Sequence, residues 1–122
     1  MAGTPSPGPG SRSIQLLRGT LDVLILKTLA RQGELHGYGI VAQLEAVTNG
    51  ALMVDDGALY QSLHRMQERE WVESEWGHVE NGKRAKFYRL TAEGRRRLRT
   101  ETREWVRYAE VVFRVLDPEA AT

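Results

Sequence analysis

Leu17, Leu21, Leu24, Thr28 and Leu29 fall on one stripe, and Leu16, Val23, Ile25 and Leu26 add apolar surface on the other sides. That spacing predicts a helix from about Leu16 to Arg31, and a helix that is apolar nearly all round is a buried one. Gly33 is its expected stop. "HGYGIVAQLEAVTNG" predicts a second helix with Ile40, Leu44 and Val47 turned inward and Asn49-Gly50 at its end. "DDGALYQSLHRMQERE" predicts a third, with Asp55 as N-cap because its carboxylate can accept from free backbone N–H groups. Leu59, Leu63 and Met66 form its inner stripe. At about 100° per residue the opposite face carries Gly57, Gln61, His64 and Glu68, flanked by Tyr60 and Arg65.

Beyond the third helix the period changes. "WVESEW" (71–76) alternates apolar and polar residues, as a strand does, and "AKFYRL" (85–90) is its expected partner. Asn81-Gly82 between them is a hairpin signal, since both residues tolerate positive φ. Trp71, Trp76, Phe87 and Leu90 are the apolar residues by which such a hairpin would pack, because a lone hairpin is marginal in water. Thr91 caps a last helix with Glu93 in its first turn. On that helix Leu98, Thr102, Trp105, Ala109, Val112 and Leu116 follow alternating four- and three-residue steps, a heptad seam that Val106 and Phe113 widen. Asp117-Pro118 stops it.

This order of elements predicts an α+β fold, mostly helical: a winged helix-turn-helix with a long C-terminal dimerisation helix. The expected division is a disordered tail over 1–13, a DNA-binding domain over 14–90, the dimerisation helix over 91–117 and a frayed tail over 118–122. Charge supports the reading. The formal net charge is only +1, yet from Lys83 to Arg99 there are eight Lys or Arg and one acidic residue, Glu93. At a hairpin tip beside a duplex, Lys83, Arg84 and Lys86 would meet phosphates, which supply affinity and register but little sequence information. The outer face of the third helix, with Gly57, Ala58, Tyr60, Gln61, His64 and Arg65, would enter the major groove. There Gln61 suits adenine and Arg65 suits guanine or phosphate.

Composition narrows the field further. An apolar fraction of 41% and a charged fraction of 27% are ordinary for one globular domain of 122 residues. There is no cysteine, and His36, His64 and His78 lack metal-ligand spacing, so neither a metal nor another cofactor is expected. No glycine-rich phosphate loop follows a strand, and Ser62 and Ser74 have no base partner, so catalysis is not expected. "MAGTPSPGPGSRS" does not read as a secretion leader, and Val23–Leu26 is far too short to span a bilayer, so the expected location is cytoplasmic. The Arg95-Arg96-Arg97-Arg99 run reads as a solvated helix face, supported by Glu93/Arg97 and Arg97/Glu101 pairs at i, i+4. The rival to DNA binding is a winged helix used for protein–protein contact, against which the polar outer face of the third helix counts.

The stretches "LLRGTLDVLILKTLA", "HGYGI", "DGALYQSLHRMQEREWVESEWG" and "ENGKRAKFYRLTAEGRRRL" resemble the PadR family of transcriptional regulators, over about Leu16 to Leu116. The short C-terminal part with a single helix is similar to the family's smaller subgroup. The resemblance implies a homodimer, usually a repressor, bound to a pseudo-palindromic operator of double-stranded DNA. Its dimer contacts would involve the last helix and the partner's first helix, which points to Leu17, Leu21, Leu98, Trp105, Ala109, Val112, Phe113 and Leu116. Some members release DNA when a small aromatic effector binds, and Trp105 matches their stacking tryptophan. The family's recognition signature maps onto Gly57, Leu59, Tyr60, Leu63 and Arg65. The chain departs from the family at Ala58, where Thr or Ser is usual, and at Gln61, where Pro is frequent.

Overall fold

The computed structural model describes residues 18–117 and 119. In chain order the elements are α1 (Arg18–Gln32), β1 (Leu35–His36), α2 (Gly37–Val47), α3 (Asp56–Glu68), β2 (Val72–His78), β3 (Arg84–Leu90) and α4 (Ala92–Leu116). Leu16, Leu17 and both tails of the expected division, residue 119 apart, lie outside the described residues.

α1 is the buried helix that its all-round apolar pattern predicts. Leu21, Ile25, Leu26 and Leu29 sit in the core with Ile40 and Leu44 of α2 and Leu59, Leu63 and Met66 of α3. Thr28 fits this apolar setting because its hydroxyl donates back to the Leu24 carbonyl at 2.8 Å. Gly33 closes the helix, its amide donating to the Leu29 carbonyl at 2.8 Å. In α2, Val47 is 70% exposed rather than inward, because the helix ends there and the chain leaves through Asn49 and Gly50, both at positive φ. The remaining apolar contact of α2 comes from Val41, which packs partly buried against the core.

β2 and β3 form the expected antiparallel hairpin, running from Val72↔Leu90 to His78↔Arg84. The turn differs from the expected pair of positive-φ residues. Gly82 takes φ 84°, whereas Asn81 stays at negative φ and its side-chain oxygen accepts from the Lys83 amide at 3.0 Å. The Gly82 amide donates to the Val79 carbonyl, and the Val79 amide donates to that of Lys83, both at 2.9 Å, so the link is a five-residue loop. A third strand joins the hairpin: β1 pairs antiparallel with β3 through Leu35↔Tyr88 and His36↔Phe87, giving the order β1-β3-β2. Of the hairpin's expected packing residues, Trp71 and Leu90 are buried and Phe87 is half-buried against the His36 ring at 5.3 Å. Trp76 is not a packing residue: it is 55% exposed, because β2 has by then run past the edge of the core.

α4 begins inside the core. The Thr91 hydroxyl accepts from the Gly94 amide at 2.9 Å and faces the Glu70 and Trp71 carbonyls at 2.6 and 3.1 Å. Gly94 is buried, and a Cβ there would run into the Trp71 carbonyl. Leu98 packs against the core cluster. Beyond it the helix projects, and Trp105, Val106, Tyr108, Val111, Phe113, Val115 and Leu116 are all exposed in the single chain. Among the described residues no helix is long and apolar enough to cross a membrane.

Candidate nucleic-acid interface

α3 is started by Asp55, whose carboxylate accepts from the Ala58 amide at 3.1 Å. Leu59, Ser62, Leu63 and Met66 turn inward. Gly57, Ala58, Tyr60, Gln61 and His64 are thereby left exposed on one continuous polar face. His64 lies 3.4 Å from Glu68 one turn on. Tyr60 leans over Gly37 at the start of α2, where any Cβ would collide with its ring and hydroxyl. Tyr60 also acts on its neighbour Tyr88, whose phenol is raised above its ordinary value, by burial first and by Tyr60 second.

Arg65 does not join this face. Its guanidinium turns to α1 and meets the Asp22 carboxylate at 2.6 Å and the Ser62 hydroxyl at 3.2 Å. The side chains of Arg65 and Asp22 are only 16% and 10% exposed. A nearly buried ion pair costs several kcal/mol to break, so the expectation that Arg65 reads guanine or phosphate gives way to a structural role between α1 and α3. The signal for this was Asp22, a lone acid inside the apolar run "LDVLIL", which needs a cationic partner if that helix is buried.

At the hairpin tip Lys83 and Arg84 are exposed and Lys86 is half-buried. Arg84 lies over the Trp76 ring with its guanidinium carbon 4.5 Å from the centroid, and the Lys86 ammonium is 5.8 Å from it. Arg89 is spent elsewhere. It meets Glu75 at 2.7 Å, Glu73 at 3.0 Å and Glu34 at 3.0 Å, and those contacts, Glu75 foremost, hold its guanidinium charged. The wing cations without an acidic partner among the described residues are therefore Lys83, Arg84 and Lys86. In the arginine run of α4, Glu93 pairs with Arg96 at 2.6 Å rather than with Arg97. Arg97 pairs with Glu101 at 2.7 Å, as expected, and lies 4.8 Å over the Trp71 ring.

Of the residues expected at a dimer contact, Leu21 is 4% exposed within its own chain and offers no surface to a partner. Leu98 is largely taken up by the core, and Leu17 lies outside the described residues. Ala109 and Val112 are half-buried, whereas Trp105, Phe113 and Leu116 are exposed. The Trp105 indole N–H donates to the Thr20 hydroxyl of α1 at 2.9 Å, which fixes the ring's edge and leaves much of its surface open.

The family profile described as "Transcriptional regulator PadR-like family" matches residues 25–100. A PadR-like transcriptional regulator from Bacillus cereus has a similar structure, with a TM-score of 0.69 and 27% identity over 85% of this chain and 98% of that one. A transcriptional regulator from Clostridium thermocellum gives 0.69 and 27% over 84% of this chain and 94% of that one. An uncharacterised protein of Lysinibacillus sphaericus is 29% identical over 97 residues, 80% of this chain and 88% of that protein.

Proposed function

The chain belongs to the PadR-like family of transcriptional regulators, and on that premise we propose that it is a homodimeric repressor of its own or neighbouring genes that binds a pseudo-palindromic duplex operator. In this reading α3 enters the major groove with Gly57, Ala58, Tyr60, Gln61 and His64 outward, and Gln61 is the side chain best suited to a base edge. Lys83, Arg84 and Lys86 hold the flanking backbone. The projecting seam of α4 joins two copies and sets their recognition helices about 34 Å apart, one turn of the duplex.

The observation that supports this most is the pairing of an exposed polar α3 face with a wing whose cations Lys83, Arg84 and Lys86 lack acidic partners among the described residues, whereas their strand neighbour Arg89 is held by glutamates. Release by a flat aromatic effector belongs to the same reading. Two Trp105 rings, each fixed at its indole N–H, would face each other across the two-fold axis and take the effector between them.

Fluorescence anisotropy with the gene's own upstream intergenic DNA, set against a scrambled duplex over a salt series, tests the proposal. Tight binding that prefers the upstream DNA and weakens with salt is the expected result. Equal, weak binding to both duplexes would favour a winged helix that serves a protein partner. Lys83→Ala with Arg84→Ala should weaken binding to every duplex and flatten its salt dependence, by about one unit of slope for each phosphate no longer neutralised. Gln61→Ala should instead lower the preference for upstream over scrambled DNA, with the slope unchanged.

A further inference from the structure

Trp76 is the feature that neither the core nor the reading above has absorbed. A tryptophan on a strand ordinarily hides its large apolar surface. Trp76 is instead 55% exposed, on a hairpin whose Trp71, Val72, Tyr88 and Leu90 are all buried.

Strand geometry says which way it faces. Side chains alternate along a strand, so Val72, Ser74, Trp76 and His78 share one face of β2. Their partners Leu90, Tyr88, Lys86 and Arg84 share the same face of β3. The inner part of this face packs on the core. Its outer part, Trp76 with Lys86 and Arg84, continues the face beyond the core. The Ser74 hydroxyl donates to the Gln67 side-chain carbonyl of α3 at 3.2 Å, two residues before Trp76. Gln67 is exposed and stands one turn beyond His64, so Trp76 projects on the side of the sheet where α3 carries its polar face.

Its two cationic neighbours specify the partner. Arg84 and Lys86 both lie within cation–π reach of the ring. They narrow the ring's freedom and their own, so the three groups are presented together. An apolar plate flanked by two cations matches a surface that alternates apolar and anionic groups at short range. The sugar–phosphate backbone of a duplex is such a surface, whereas an apolar protein partner would leave both cations unpaired.

We propose that Trp76 contacts the DNA, its indole packing on the deoxyribose of the backbone at the wing while Arg84 and Lys86 take the flanking phosphates. This rests on the DNA-binding reading above. It makes Trp76 a source of affinity that is independent of salt, in contrast to its cationic neighbours.

Three chains separate the outcomes: wild type, Trp76→Ala and Trp76→Phe. Each is titrated by anisotropy against the upstream intergenic duplex over a salt series, with its Tm measured alongside. Trp76→Ala should bind roughly tenfold more weakly, the scale of burying part of one large apolar side chain, at an unchanged salt slope. Trp76→Phe should recover most of the loss. Trp76 emission, taken as the difference between wild type and Trp76→Phe, should change when DNA is added. If Trp76→Ala binds as the wild type does, the inference is overturned while DNA binding stands. A loss accompanied by a slope smaller by about one overturns it too, since Trp76 would then act only by placing Arg84. Failure of the wild type to bind any duplex removes the reading beneath it, and the inference with it.

Discussion

Arg65 and Asp22 show how little a residue's type fixes its role. Arginine on a helix expected to meet DNA reads naturally as a base or phosphate contact, and its helical angle places it at the border of the outer face. Tertiary packing brings α1 alongside and supplies a carboxylate at 2.6 Å. Removing one partner from a nearly buried pair leaves an uncompensated charge, so Asp22→Ala should destabilise the fold by about 3 kcal/mol, measured by urea unfolding. Asp22→Leu combined with Arg65→Leu should restore much of that loss, because no orphaned charge remains. A single variant as stable as the wild type would show that the pair contributes nothing. Arg89 makes the same point on the sheet: its sequence neighbours Lys83, Arg84 and Lys86 suggest a fourth wing cation, and three glutamates from β2 and the α1–β1 link claim it.

At the scale of elements, the sharpest constraint is where α4 leaves the sheet. Thr91 caps the helix while also meeting the Glu70 and Trp71 carbonyls, and Gly94 lets the first turn lie directly on the Trp71 backbone. Helix propensity alone favours Gly94→Ala by up to about 1 kcal/mol. The obstacle is backbone, which cannot swing aside as a side chain can, so overpacking by about 1–3 kcal/mol should win. The expected result is a lower Tm; a higher one would mean that the contact between α4 and the Trp71 backbone is loose. The elements themselves were largely legible: α1, α3, the hairpin and α4 fall within a few residues of their patterns, because each carries a long run of one period. β1 was not, since two residues cannot display alternation, and they become a strand only when β3 lies beside them. Trp76 was misassigned for a related reason. Alternation says which face a side chain is on, and only the length of β2 relative to the core says whether that face is covered.

At the scale of the whole molecule, one core spans both parts of the expected division, with Leu98 of α4 packed on it, and the exposed apolar surface is concentrated on the far half of α4. So many exposed large apolar residues on one helix mark an interaction surface. In the proposed function that surface joins two copies. Val112→Asp with Phe113→Asp should turn a dimer into a monomer by sedimentation at micromolar concentration, leave the Tm of the core nearly unchanged, and weaken operator binding severely because one half-site alone would be held. A wild-type monomer at that concentration would refute the dimeric mechanism.

The sequence by itself determined the helices and the hairpin, the buried stripes of α1 and α3, the caps at Asp55 and Thr91, and an exposed polar face on α3. Each is fixed by local period or by bonds within a few residues, so no distant segment has to be known. On α4 the i, i+4 spacing already gave the Arg97–Glu101 pair, but tertiary structure alone decided which cations of α3 and the sheet stay available. Arg65 with Asp22 and Arg89 with Glu34 are pairs near in space and remote along the chain. Proximity of that kind follows from how α1, α3 and the sheet pack, and it leaves Lys83, Arg84 and Lys86, with Trp76 among them, as the charged end of the wing.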